Sequence, residues 1–190
     1  MQVSAPAGKT RYLLYSDFNC PFCYALHERL HGMKLLDRCD WRGVQHAPYL
    51  PRPMKPWQGT LEAELRHEIA IVQRLAPRLP IALPKGKPNT RPAIETAISI
   101  LRPDRDQGLA LVGNLYRAFW VDGRDISDAA VLAELAGKVP DGDSASIQIA
   151  HEWEKAWHAT GQAGVPLIVS PDGALLVGCV PEEAIRRFFS

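Results

Sequence analysis

Cysteine is scarce in this chain of 190 residues. Only Cys20, Cys23, Cys39 and Cys179 occur, too few and too unevenly spaced for the framework of a disulfide-stapled secreted domain. An excess of charge is also missing: Lys and Arg total 22 against 21 Asp and Glu, with no long block of either sign. That balance excludes the electrostatic footprint of a nucleic-acid or polyanion partner. No apolar run approaches the length needed to span a membrane. Met1 to Gly8 reads MQVSAPAG, with neither the basic start nor the apolar stretch of a secretory signal. The expectation is a cytoplasmic protein with no nucleic-acid and no membrane partner. Internal repeats and low-complexity tracts are absent too.

What is present is enough apolar material, 46% of residues, to bury one substantial core, or one core with a smaller lobe packed on it. Arg11 to Ser16 (RYLLYS) suits a buried strand and stops at Asp17-Phe18-Asn19, residues that favour turns and helix caps. From Pro21 onward Phe22, Leu26, Leu30 and Met33 recur at helical spacing, giving an amphipathic helix to about Leu36. Trp41 to Ala47 reads as a second strand. Strand, helix and strand in so short a span make a βαβ unit, whose strands are parallel with the helix across them.

Pro48, Pro51, Pro53 and Pro56 then mark an extended connection, and a lobe boundary is placed near Gly59. The next hundred residues carry helical stripes: Leu61, Leu65, Ile69 and Val72; Ile94, Ala97, Ile98 and Leu101; Leu109, Val112, Tyr116, Phe119 and Trp120. A shorter helix with Val131, Leu132 and Leu135 follows Ser127 as its expected cap, and another carries Ile149, Trp153 and Trp157. At Gly164 the pattern returns to strand. Val165 to Val169 and Ala174 to Val177 flank Ser170-Pro171-Asp172-Gly173, a type I turn signal between antiparallel strands. Pro181 opens a last helix through Ile185, Phe188 and Phe189. The order βαβ, helical block, ββα describes an α/β chain. Its two parts are residues 1–58 with 163–190, and an all-helical insertion over residues 59–162.

Cys20-Pro21-Phe22-Cys23 stands at the first strand-to-helix junction. There, unpaired backbone N–H groups and the helix dipole favour a negative sulfur. Such motifs lower a thiol pKa from about 8.5 to about 7 or below, and the thiolate is the attacking species. Cys23 lies almost one turn further on, within reach of a disulfide with Cys20. Pro21 fits the first helical turn, which has no use for its missing N–H. Against this stand two buried cysteines of no chemical use, and zinc. Cys23, His27 and His31 share a helix face, but residues i and i+8 are about 12 Å apart along a straight helix, so both histidines cannot join one tetrahedral ion. No metal is expected. His27 is expected on an exposed helix face. Asp17 is read as a support of the helix start, shared with Asn19, or as a proton acceptor for the cysteine pair.

Tyr15-Ser16-Asp17-Phe18-Asn19-Cys20-Pro21-Phe22-Cys23-Tyr24 resembles the active-site segment of the DsbA-like thiol-disulfide oxidoreductases, particularly their FrnE-like cytosolic subgroup. Asn89-Thr90-Arg91-Pro92-Ala93, Leu115 to Trp120 and Asp122 to Ser127 resemble further segments of that group, and Gly164-Val165-Pro166 resembles its loop before the third strand. The resemblance implies a thioredoxin fold interrupted by the helical insertion, with Cys20 as nucleophile and Cys23 as resolving cysteine. It also implies a cis bond before Pro166 and a substrate-binding surface of Pro21, Phe22, Val165 and Pro166 around Cys20. No cofactor beyond the redox-active disulfide is implied. Partners would be protein thiols and disulfides, with glutathione as a candidate co-substrate.

Two departures matter. Phe22 stands where the family usually has Trp or His, so the motif lacks the histidine that helps make the family's periplasmic members strong oxidants. Cys20 stands where related hydroxychromene carboxylate isomerases and kappa-class glutathione transferases carry serine. The rival readings are a glutathione-dependent transferase or isomerase on the same fold, and a non-enzymatic binding or chaperone-like module. For the module, Phe22, Tyr24, Tyr49, Trp57, Trp120, Trp153 and Trp157 would line a groove, although their helical spacing suits a core better. Cys179 is read as a buried free thiol.

Overall fold

A computed structural model describes residues 11–137 and 143–190. Met1 to Gly8, on which the cytoplasmic expectation rests, lies outside the described residues. Among the described residues, four strands form one sheet in the order β2-β1-β3-β4. β1 (Tyr12–Ser16) and β2 (Cys39–Gly43) are parallel, with Tyr12 opposite Cys39 and Ser16 opposite Gly43. β3 (Leu167–Val169) runs antiparallel to β1, and β4 (Leu175–Val177) antiparallel to β3. The turn between them closes where the Gly173 N–H donates to Ser170 O at 3.0 Å. Gly173 takes φ +90°, a region open to glycine and strained for other residues.

α1 (Pro21–Gly32) crosses from β1 to β2. It stops short of the expected Leu36 because Lys34 turns left-handed at φ 56°. The Lys34 N–H then donates to His31 O and the Leu35 N–H to Leu30 O, a Schellman closure that ends the helix. β2 begins two residues before Trp41 and ends at Gly43, so Val44 to Ala47 form a loop, not strand. A Cβ on Gly43 would lie 2.6 Å from the Trp41 indole.

α2 (Leu61–Leu75), α3 (Arg91–Leu101), α4 (Arg105–Trp120), α5 (Ala129–Ala136) and α6 (Ser144–Ala159) lie between β2 and β3, and α7 (Glu182–Phe188) closes the described chain. α5 is capped by Asp128, whose carboxylate accepts from the Ala130 and Val131 N–H groups, and not by Ser127. Ser127 instead donates through its hydroxyl to Asp125. α3 and α4 approach closely at Gly108, where a Cβ would lie 2.5 Å from Leu101 Cα.

The core runs without a break from the sheet into the helices: Leu14, Leu26, Trp41 and Ile168 pack in one cluster with Ile94, Ile98, Leu115 and Trp120. Tyr24, Trp120 and Trp157 belong to buried core, while Phe22, Trp57 and Trp153 are half-buried and Tyr49 is 74% exposed. Trp120 is fully buried and donates through Nε1 to Phe18 O at 2.8 Å, the usual requirement for an indole taken out of water. Among the described residues, no helix is long and apolar enough to cross a membrane.

Candidate functional site

The end of the sheet where the parallel strands finish gathers the chemistry. Parallel β1 and β2 both end there, and antiparallel β3 begins there, since Tyr15 pairs with Leu167. The loop after β1 delivers Asp17 and Cys20, the loop after β2 delivers His46, and the segment entering β3 delivers Val165 and Pro166. The crevice beyond the carboxyl ends of parallel strands is where α/β sheets collect ligands.

Cys20 is the residue before α1, with extended backbone (φ −103°, ψ 118°) and no side-chain cap. Its thiol is 6% exposed and donates to Val165 O at 3.6 Å. The Val165–Pro166 peptide is cis, as is Arg52–Pro53. Pro21 and Pro166 are buried, Phe22 and Val165 half-buried. All four cysteines are free thiols. Cys23 is buried one turn into α1, and its sulfur accepts the Asp17 N–H at 3.4 Å.

The surroundings shift the pKa values of the two thiols in opposite directions. Burial is the largest influence on Cys20 and by itself would raise its pKa. The Cys23 thiol and N–H, together with the positive charges of His46 and Lys87, outweigh it, so the Cys20 pKa is lowered. For Cys23, burial and the neighbouring Cys20 act in the same direction, and its pKa is raised well above the ordinary value. Hydrogen bonding and opposite charge favour a thiolate, desolvation and like charge disfavour it.

Neither Asp17 nor Asn19 caps the helix through its side chain. The Asp17 side chain is fully buried, and its Oδ2 accepts both the His46 N–H at 2.9 Å and His46 Nδ1 at 2.7 Å. Asn19 donates through Nδ2 to Pro88 O at 2.8 Å, which ties the segment before α3 to the cysteine loop. Asn89 completes the lacing: its Nδ2 donates to Leu50 O at 2.8 Å and its Oδ1 accepts from Gln45 Nε2 at 2.9 Å. Lys87 is thereby held near the ring of His46, with Nζ and Nε2 3.4 Å apart.

His27 is not exposed. It is 3% accessible, packs its ring 5.1 Å from that of Tyr116, and faces the small residue Gly113 of α4. Burial pushes its pKa down to about 3, so it is neutral. Cys179 is half-buried, with Arg29 Nη1 3.7 Å from its sulfur. Cys39 is buried, and burial pushes its thiol up to about 12.

His46 and Lys87 escaped the reading of the sequence. His46 fell inside an expected strand, and no short spacing links it to Cys20. The signal available was topological: a histidine just past a strand parallel to the one that carries the cysteines.

The sequence matches the DSBA-like thioredoxin domain over residues 13–189. No curated protein matches it. Among solved structures, a probable DsbA oxidoreductase from Streptomyces coelicolor aligns with a TM-score of 0.73 at 20% identity, covering 94% of this chain and 87% of that one. A 2-hydroxychromene-2-carboxylate isomerase gives 0.69 at 20% identity, with 94% and 92% covered. The cytosolic disulfide reductase DsbM from Pseudomonas aeruginosa, solved with GSH, gives 0.68 at 18% identity, with 94% and 96% covered. At these identities the likeness is one of fold. The match across nearly the whole chain places it in a family: the protein belongs to the DSBA-like thioredoxin domain family.

Proposed function

We propose that the protein is a thiol-disulfide oxidoreductase whose Cys20-Pro21-Phe22-Cys23 centre exchanges disulfides with protein or small-thiol substrates. The observation that carries this reading is the placement of the pair: Cys20 stands at the head of α1 against the Val165 carbonyl and Cys23 lies one turn further in, with the Cys20 pKa lowered and that of Cys23 raised. The Cys20 thiolate attacks one sulfur of a disulfide R–S–S–R′, forming Cys20–S–S–R and releasing R′–S⁻, which takes a proton from water. Cys23 then loses its proton, attacks the Cys20 sulfur and releases R–S⁻, which is protonated in turn. The substrate disulfide gains two electrons, and the dithiol becomes a Cys20–Cys23 disulfide. Each step is thiolate exchange through a mixed disulfide.

Pro21, Phe22, Val165 and Pro166 form the substrate-binding surface in this reading, and no cofactor takes part beyond the cysteine pair, with glutathione as co-substrate. Residues 59–162 are the helical insertion, and residues 1–58 with 163–190 the thioredoxin-like part. The unbroken core supports their acting as one body. The protein works in the cytoplasm, where a reducing poise keeps the pair as dithiol and favours reductase or isomerase chemistry.

The test is thiol alkylation with peptide mapping after equilibration across ratios of reduced to oxidised glutathione. The reading expects one two-electron transition confined to Cys20 and Cys23, and a Cys23→Ser variant that accumulates a mixed disulfide on Cys20. A stable glutathione adduct on wild-type Cys20 points to the transferase or isomerase reading instead. Inert cysteines leave the non-enzymatic module.

A further inference from the structure

Asp17 touches both halves of the redox pair through its backbone. Its carbonyl accepts the Cys20 N–H at 3.2 Å, and its own N–H donates to Cys23 Sγ at 3.4 Å. Its side chain turns the other way. Oδ1 is buried with no hydrogen-bond partner among the described residues, so the carboxylate is compensated through Oδ2, which takes both the backbone and the ring donor of His46. This sharing fixes the imidazole: Nδ1 carries a proton to Asp17, and Nε2 points toward Lys87. The His46 side chain is 25% exposed, so a ring anchored on a buried carboxylate still exchanges protons with solvent. A buried acid bonded through a histidine to water is a route by which charge enters an otherwise closed site.

We infer that His46, fixed by the buried Asp17, is a positioning residue of the redox centre: it supplies switchable positive charge beside Cys20, so that the exchange rate of Cys20 follows the protonation of the imidazole. The inference rests on the reading of Cys20 as the attacking thiol. The charged and titratable groups facing the ring are Asp17 from the loop after β1, Lys87 from the segment before α3, and Cys20 at the head of α1. Burial alone would lower the His46 pKa. The hydrogen bond and charge of Asp17, aided by Cys20, outweigh burial and Lys87, and the pKa is raised. By linkage the influence is mutual: a proton on His46 favours the Cys20 thiolate, and the thiolate favours the proton on His46.

Two measurements test this on the full chain. The first is the rate of Cys20 alkylation by iodoacetamide against pH, followed by peptide mass, for wild type, His46→Leu and His46→Gln. A lowered Cys20 pKa is expected in wild type, with the rate at pH 6 falling about tenfold in both variants, which is one unit of thiol pKa. Glutamine can still bond Asp17 but carries no charge. Restoration of the wild-type profile by glutamine therefore assigns His46 a merely structural role and overturns the inference, as does a wild-type profile in both variants. The second needs no variant: NMR titration of the His46 ring in the dithiol and in the disulfide form. Linkage requires a higher midpoint in the dithiol form, where Cys20 can be an anion, and equal midpoints overturn it. Alkylation does not require a working disulfide cycle. A wild type that alkylates at Cys20 yet never forms the Cys20–Cys23 disulfide defeats the oxidoreductase reading alone, and in that case the alkylation profiles decide the role of His46.

Discussion

The thiol of Cys20 donates to the carbonyl oxygen of Val165 across 3.6 Å of space and 145 residues of chain. A carbonyl accepts from a thiol and offers nothing to a thiolate. Ionisation of Cys20 therefore gives up this contact and leaves the sulfur to the Cys23 thiol and N–H and to the positive charges of His46 and Lys87. The loop before β3 thus serves the protonated form, and Cys23, His46 and Lys87 favour the anion.

The first prediction concerns the order of cysteine reactivity. In the folded dithiol protein at pH 7, iodoacetamide should modify Cys20 about tenfold or more faster than Cys23 or Cys39, since the thiolate is the nucleophile. Burial holds Cys39 at about 12 and raises Cys23 as well. Peptide mapping at short times checks it, and equal rates at Cys20 and Cys23 would contradict the asymmetry.

His27 gives a pH dependence of stability. Its folded pKa of about 3 lies below the ordinary histidine value because the ring is buried and, in lesser measure, because of His31 and Arg117. The unfolded chain takes a proton near pH 6.5 and the folded chain does not. This part of stability is whole above about pH 6.5 and is lost as pH falls toward 3, amounting to about 3 kcal/mol by pH 4 as an upper figure. A His27→Phe variant should lose less stability than wild type between pH 7 and pH 4.5, read as urea midpoints. An unchanged difference would refute the assignment.

Behind the cysteine pair, Tyr116 Oη and Ser16 Oγ share a hydrogen bond of 2.6 Å, both groups buried. Tyr116→Phe leaves the Ser16 hydroxyl without that partner and should cost about 1–2 kcal/mol. Chemical denaturation checks this. The double variant Tyr116→Phe with Ser16→Ala should recover part of the loss.

Two helical glycines should respond oppositely to alanine. At Gly108 an added Cβ meets Leu101 backbone at 2.5 Å, so α3 and α4 must separate and stability falls by about 1–3 kcal/mol, the usual range for overpacking. At Gly32, the last residue of α1, nothing lies within 4 Å, and alanine should stabilise by up to about 1 kcal/mol through helix propensity. Thermal melts of the two variants should shift in opposite directions.

Much of this protein was legible in the sequence, because the evidence for it is local. The run from Tyr12 to Cys23 specifies strand, turn and helix within a dozen residues, and the helical stripes and the Ser170 to Gly173 turn need only their own neighbours. The Cys20-Pro21-Phe22-Cys23 motif announces itself by spacing. Ends of elements were less secure. α1 stops at Gly32 because Lys34 adopts a left-handed conformation, and β2 is displaced toward Cys39 by its register with β1, results of backbone closure and strand pairing that side-chain pattern does not specify.

Only the tertiary structure decided the surroundings of the pair. Whether a histidine is buried or exposed depends on which helix covers it: α4 presents Gly113 to His27, and no pattern within α1 foretells that. Asp17 looked like a helix cap because caps are local. Its carboxylate instead bonds His46, 29 residues away, since parallel strands bring the loops after β1 and β2 to the same end of the sheet. A spacing can name the reacting sulfurs, but the charges that bear on Cys20 arrive through space from His46 in the loop after β2 and from Lys87 in the segment before α3. Electrostatics acts over distance in the folded chain, and sequence order does not record that distance.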